Sequence, residues 1–343
     1  MKIPSKGRFL VSTLGIFVCY FYFAILQERI TRRKFGDERF ECILSLVFIM
    51  CVVNCVFANA VKKFLLDHRP EDDQDSTPAW LYALAALTYV VASVSGQKAL
   101  AWISYPTQVI GKSCKPIPIM IFGVLFCQIR YPVLKYFFVS LIGVGVALFM
   151  YKDEAETDLA RPEVWSNLGV GELLLLLSLC FDGITGAVQE RMKLDHSPKS
   201  TDMMAEINKW AALYLAVLVV GTQEIWQLSA FIQRHPEIIW QLLSITLTGS
   251  CGQFFIFMCI TEVGPLQCSI ITTTRKLLTV FCSVLLYGNA VSNRQWIGAG
   301  FVFVGLYLDL YFGKVPKIDD GHDKASSKTK EECNLKKIVV WCC

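Results

Sequence analysis

The chain has 343 residues, of which 54% are hydrophobic and 18% charged, and its mean hydropathy is +0.46. Soluble domains carry about a quarter charged residues, so composition excludes an ordinary water-soluble protein. A net charge of +4, from 33 Lys and Arg against 29 Asp and Glu, is too small for a chain-wide nucleic-acid binder. The 14 cysteines fall singly through apolar runs, which argues against a zinc site and a disulfide framework.

A membrane-crossing helix needs about 20 mainly apolar residues. In chain order the stretches that qualify are 9–27, 42–61, 79–97, 99–127, 133–151, 169–189, 203–222, 237–259, 265–287 and 295–312. The chain is therefore expected to be an all-α membrane protein with ten transmembrane helices. The first stretch is too long for a signal-peptide core and is followed by no small-residue cleavage site, so it is expected to be retained. Only Gln97 and Lys98 break the hydropathy between the third and fourth. Outside the spans, 71–75 is an acidic loop, 153–168 a connector, and 314–343 a Lys-rich polar tail expected to be disordered.

An even number of spans places both termini on one side. With the termini cytosolic, the cytosolic segments hold nineteen Lys and Arg, seven of them in the tail, and the lumenal segments hold ten. The positive-inside rule thus orients both termini to the cytosol, with 28–41 a local exception.

The two halves repeat one another. Gln27-Glu28-Arg29, closing the first span, recurs as Gln189-Glu190-Arg191, closing the sixth, at a shift of 162. Gly96-Gln97 matches Gly252-Gln253 at 156, and Pro106 matches Pro265 at 159. Lys115, Tyr136 and Gly145 match Arg275, Trp296 and Gly305 at 160. Units of five spans, 1–152 and 169–313, must then enter the membrane from opposite sides. This is the five-plus-five inverted repeat of many secondary transporters, whose substrate sites lie near the midplane between the halves.

Nineteen and ten leave four of the 33 cations unplaced: Lys112, Lys115, Arg275 and Lys276, inside the matched fourth and ninth spans. Each costs about 2.5–3.5 kcal/mol at a bilayer centre, so the group persists only against water, carboxylates or an anionic ligand. Lys112 and Lys115 are three apart and share a helical face. Asp182, Glu262 and Glu172 are the few embedded acids able to pair with them. The excess points to a pocket for a multiply charged anion, and phosphate suits both the Arg fork and the Lys point charge. The competing reading is a structural ion pair with Asp182 or Glu262, or snorkelling to an interface. Pro106, Pro116 and Pro118 loosen the first of these helices, and Thr272, Thr273 and Thr274 add hydroxyls before Arg275 in the second. Tyr20, Tyr22, Gln97 and Gln253 are candidates to contact a base or sugar, although an aromatic in a membrane helix is more often packing.

Gly111-Lys112-Ser113 ends like a P-loop, but Pro106 stands where the motif's first glycine belongs, so direct ATP-driven pumping is not expected. All four histidines (His68, His196, His235, His322) lie in loops or the tail, and neither a metal site nor a cofactor is expected. An integral membrane enzyme acting on a phosphorylated substrate is the alternative class, but no nucleophile and base accompany the cations.

Three blocks carry a family resemblance: YPTQVIGKSCKPIP at 105–118, GELLLLLSL at 171–179 and CSIITTTRK at 268–276. They closely resemble the nucleotide-sugar transporter family, solute carrier family 35, and the likeness spans about 9–314. It implies the drug/metabolite transporter fold and antiport of a nucleotide-sugar of the UDP-galactose or UDP-glucose type, or of a nucleotide, across the endoplasmic reticulum membrane. The alternative it implies is an ATP/ADP exchanger supplying the lumen with ATP. It also implies phosphate binding by Lys112, Lys115, Arg275 and Lys276, with nucleotide or nucleotide-sugar substrates and membrane lipid as partners and no nucleic acid. Relatives of this kind often end in a di-lysine signal. Here Lys336-Lys337 lie short of the Cys342-Cys343 end, which makes a Golgi membrane the second location.

Overall fold

The computed structural model describes residues 6–32, 34–35, 38–40, 42–66, 76–99, 102–103, 108, 111–112, 114–127, 129–150, 169–286, 293–312 and 317–318. The fold is helical, as the hydropathy requires: with no water to bind the backbone, an apolar run in lipid must satisfy its own N–H and C=O groups. In chain order the helices are α1 (Lys6–Arg32), α2 (Ile43–Leu66), α3 (Ala79–Ala99), α4 (Pro116–Cys127), α5 (Val133–Met150) and α6 (Val170–Asp195). They continue as α7 (Ser200–Gly221), α8 (Glu224–Arg234), α9 (Ile238–Val263), α10 (Pro265–Leu286) and α11 (Asn293–Phe312). Among the described residues six helices, α1, α2, α3, α6, α7 and α9, are long and apolar enough to cross a membrane. Shorter apolar helical stretches, Pro116–Phe126, Val133–Leu148 and Trp296–Gly305, lie in α4, α5 and α11. Two antiparallel ladders of two residues each complete the described structure, β1 (Lys34–Phe35) with β2 (Glu38–Arg39) and β3 (Ile129–Arg130) with β4 (Lys317–Ile318). The second ladder ties Lys317 and Ile318, from the stretch expected to be disordered, to the α4–α5 turn. The connector 153–168 and the rest of the tail lie outside the described residues.

The fourth span departs from the sequence reading. Of the expected 99–127, Gln108, Gly111 and Lys112 are helical and α4 begins at Pro116, with a turn at Cys114–Lys115 between them. Ahead of it the amides of Cys114, Lys115 and Ile117 donate three residues back, to Gly111, Lys112 and Cys114, at 3.0, 3.4 and 3.0 Å. Pro116 and Pro118 have no N–H to donate, which suits the first turn of a helix and nothing further inside one. Lys112 is helical, and Lys115 stands on the tight turn immediately ahead of α4. The three-residue period of that turn keeps them on one side.

The packing runs between the two halves of the chain. α1 lies along α9, α3 along α6, α2 along α7 and α5 along α11, while α4 packs on α6 and touches α10. At the α5–α11 crossing a methyl on Gly145 would come within 2.7 Å of the Gly298 carbonyl oxygen, and one on Gly305 within 2.8 Å of Ile142. Small residues permit such close approach, which drives helix association where lipid removes the hydrophobic term. One apolar cluster, including Ile16, Leu81, Tyr82, Met203 and Phe257, joins α1, α2, α3, α7 and α9, and a second joins α4, α5 and α11 through Ile119, Ile142 and Val302. A buried polar chain crosses the first: Asn54 Nδ2 donates to Asn208 Oδ1 at 3.1 Å, and Ser250 Oγ donates to Asn54 Oδ1 at 2.7 Å, linking α2, α7 and α9. Leu10, Leu14, Val18, Phe21 and Ile25 form an outward stripe on α1, the surface a lipid-facing helix needs.

α8 is too short for the span criterion and was not anticipated. It buries Leu228 and Phe231 against Ile30, Phe40, Leu46 and Ile238 and leaves Trp226 71% exposed. Its first residue, Glu224, accepts a 2.9 Å hydrogen bond from the Ser45 amide, one of the donors that the start of α2 leaves open.

Candidate functional site

The segment ahead of α4 delivers its two lysines to α6. Lys112 Nζ lies 2.7 Å from Asp182 Oδ2 and Lys115 Nζ lies 3.0 Å from Asp182 Oδ1, so one carboxylate uses both oxygens to bridge both ammonium groups. Asp182 is buried, with 8% of its surface exposed. One helical turn earlier, Ser178 Oγ accepts a second hydrogen bond from Lys112 at 2.5 Å and donates its own proton to the Ala92 carbonyl at 2.5 Å. α3, α6 and this segment meet here because Gly96 has no side chain. A methyl on it would come within 2.9 Å of Ser178 Oγ and 3.1 Å of Lys112 Cε. Gln108 Nε2 donates to the Gly96 carbonyl at 2.6 Å and anchors the segment before the turn.

The other half presents Arg275 on α10. Its guanidinium carbon sits 5.1 Å from the centroid of the Tyr20 ring on α1, within cation–π range, and Nη1 donates to the Tyr20 carbonyl at 3.5 Å. Gly252 on α9 leaves room for that ring: a methyl there would lie 2.8 Å from Tyr20 Cε2. Phe23 packs edge-on against Tyr20 at 5.7 Å between centroids. Lys115 lies within electrostatic reach of Cys268, two turns before Arg275 on α10.

Of the residues singled out from the sequence, the structure brings Lys112 and Lys115 together on Asp182 and brings Tyr20 to Arg275. Gln97 and Gln253 follow the two glycines that line these contacts and are half-buried. Tyr22 lies on the outward stripe of α1, 59% exposed, and is not brought to Arg275. The Lys276 side chain falls outside the described residues. Of the three embedded acids, Asp182 alone takes the lysines. Glu262 instead pairs with Arg8 at 3.3 Å, and Glu172 is an exposed side chain in the first turn of α6. Two lysines thus meet one carboxylate among the described residues. Among the described residues no cluster of His, Cys, Asp and Glu could hold a metal ion.

The fold is that of a helical multi-pass membrane protein, and its family places it in the class of membrane transporters. The sequence profile of the UAA transporter family matches residues 8–313, and the chain belongs to that family. It is similar to solute carrier family 35 member B1 of Bos taurus, 47% identical over 319 residues, 92% of this chain and 97% of that one. It is likewise similar to the Xenopus tropicalis protein of that name, at 48% over 315 residues (91% and 95%), and to the Drosophila melanogaster homologue, at 45% over 323 (92% and 93%). A solved crystal structure shares the fold at a TM-score of 0.60 with 11% identity, covering 90% of this chain and 98% of the other. The expected nucleotide-sugar transporter family is thus the one the chain falls in, and its members are transporters, not enzymes.

Proposed function

We propose that the protein is an alternating-access antiporter that exchanges nucleotide-sugars of the UDP-galactose or UDP-glucose type, or nucleotides, across the endoplasmic reticulum membrane. Lys115 and Arg275, aided by Lys112 and Lys276, hold the phosphates from opposite halves. The observation that carries this reading is the cluster of positive charge on repeat-matched segments, Lys112 and Lys115 just ahead of α4 and Arg275 on α10, all half-buried where α4 and α10 touch. Ten spans and an inverted repeat fit the packing. Exchanging α1 with α6, α2 with α7, α3 with α9, α4 with α10 and α5 with α11 turns α1–α9 into α3–α6, α3–α7 into α2–α9 and α4–α6 into α1–α10, and returns α2–α7 and α5–α11 to themselves. Among the described residues α7–α9 and α9–α10 have no counterpart of comparable extent. The glycines support it too, since Gly96 and Gly252, and Gly145 and Gly305, are matched in sequence and do matching work at helix crossings. Halves related in this way can rock about a shared site and open it to either side.

ATP/ADP exchange is the second reading, favoured by the same cations, because phosphate contacts do not distinguish the base. Both termini are placed in the cytosol by the cation count, and a Golgi membrane is the alternative location. The test is exchange in proteoliposomes by Lys115→Gln and Arg275→Gln proteins that purify as folded. Each is expected to lose at least about a hundredfold in exchange, the effect of removing one charged partner of a phosphate. Wild-type exchange by both overturns the assignment.

A further inference from the structure

The two cation sites have matched positions but different chemistry. The shift of 162 that relates Gln27 to Gln189 also relates Tyr20 to Asp182. In one half the cation meets the uncharged face of Tyr20, and in the other two lysines meet the carboxylate of Asp182. Asp182 engages both lysines with both oxygens, and Ser178, four residues back on α6, holds Lys112 from a second direction. Nothing in helix packing alone requires a carboxylate here, since its partner position uses an aromatic ring.

Carboxylate and phosphate oxygens want the same thing from an ammonium group: short, charge-assisted hydrogen bonds. A phosphate arriving at Lys112 and Lys115 must therefore take donors that Asp182 already holds. We infer that Asp182 is a specificity-setting positioning residue, a built-in anion that occupies the lysine seat between substrates and competes with substrate phosphate for it. This rests on the phosphate-binding reading above. Three consequences follow from the competition. The lysines stay held and partly neutralised when no substrate is bound. Substrate affinity is lower than two bare lysines would give, so release is faster, which an exchanger needs on both sides of the membrane. The net charge of the seat favours fewer phosphate charges than bare lysines would.

The experiment uses the purified full-length protein, measuring binding of labelled ATP and ADP in detergent and exchange of both in proteoliposomes. Asp182→Asn is expected to tighten ATP binding about tenfold, the scale of one lost charge-assisted competitor, and to tighten ADP less. Its maximal exchange rate is expected to fall, because release becomes limiting, and Asp182→Glu is expected to return both quantities toward wild type. Asp182→Asn protein that folds but binds ATP no more tightly, or gains equally for ATP and ADP, overturns the inference and leaves the transport reading standing. If Asp182→Asn does not fold, Lys112→Gln is compared with Lys112→Gln/Asp182→Asn, in which the buried pair is removed whole. Tighter ATP binding by the double variant supports the inference, and equal binding overturns it. A wild-type protein that binds and exchanges no phosphate compound ends the transport reading, and the inference with it.

Discussion

Tyr20 offers a clean separation between two roles for an aromatic ring in this site, a surface for a nucleobase or a platform for Arg275. With the guanidinium carbon 5.1 Å from its centroid and Gly252 and Phe23 against it, the ring is already engaged on several sides. Tyr20→Phe keeps the ring and the backbone carbonyl that Arg275 Nη1 reaches at 3.5 Å. Tyr20→Leu keeps the carbonyl and similar bulk but removes the π face. A cation–π contact is worth about 0.5–1 kcal/mol when exposed and about 2 kcal/mol when desolvated, so losing it is expected to raise KM about threefold to thirtyfold. The assay is nucleotide exchange in proteoliposomes, with KM compared for substrates carrying different bases. The expected outcome is that Tyr20→Phe stays within about twofold of wild type while Tyr20→Leu weakens purine and pyrimidine nucleotides alike. An unchanged KM for Tyr20→Leu would refute the platform. A loss confined to one base would assign the ring to base recognition instead.

Two further outcomes follow from the packing. Gly96→Ala places a methyl 2.9 Å from Ser178 Oγ and 3.1 Å from Lys112 Cε, so it is expected to push Lys112 out of its seat. Exchange should weaken and thermal stability should fall by about 1–3 kcal/mol, whereas Gly221→Ala, with nothing within 4 Å, should change neither. Asn208→Leu removes the acceptor for Asn54 Nδ2 in the buried α2–α7–α9 chain and is expected to cost about 1–3 kcal/mol in thermal melts of the detergent-solubilised protein.

Much of this arrangement is legible in the sequence, because lipid leaves an apolar run few choices. The helices α2, α3, α5, α6, α7, α9, α10 and α11 begin within a few residues of the apolar stretches that announce them. Hydropathy alone does not see an interruption inside a long apolar run, so it misses the turn at Cys114–Lys115 that the prolines and the i−3 bonds mark ahead of α4. It also overlooks α8, whose buried pair Leu228 and Phe231 are three apart on a segment of 11 residues, too short to register as a span. That spacing was the available signal. The four intramembrane cations were visible as charges out of place, but their partners were not. Lys115 and Asp182 are 67 positions apart, and no local pattern distinguishes Asp182 from Glu262 as the lysines' acid. Tyr20 and Tyr22 looked equivalent as aromatics, and only their angular positions on α1 separate the ring under Arg275 from the one on the outer stripe.

The central claim is that the cations of the two halves serve a phosphate-bearing cargo that is exchanged. Its most direct test is counter-flow with the purified wild-type protein: proteoliposomes preloaded with unlabelled nucleotide, offered labelled ATP or labelled UDP-galactose, and challenged with a panel of nucleotides and nucleosides. Labelled substrate is expected to accumulate only against a phosphate-bearing counter-substrate, and nucleosides lacking phosphate should neither drive nor inhibit it. Accumulation that ignores the internal nucleotide, or uptake of nucleosides as strong as that of nucleotides, would contradict the account.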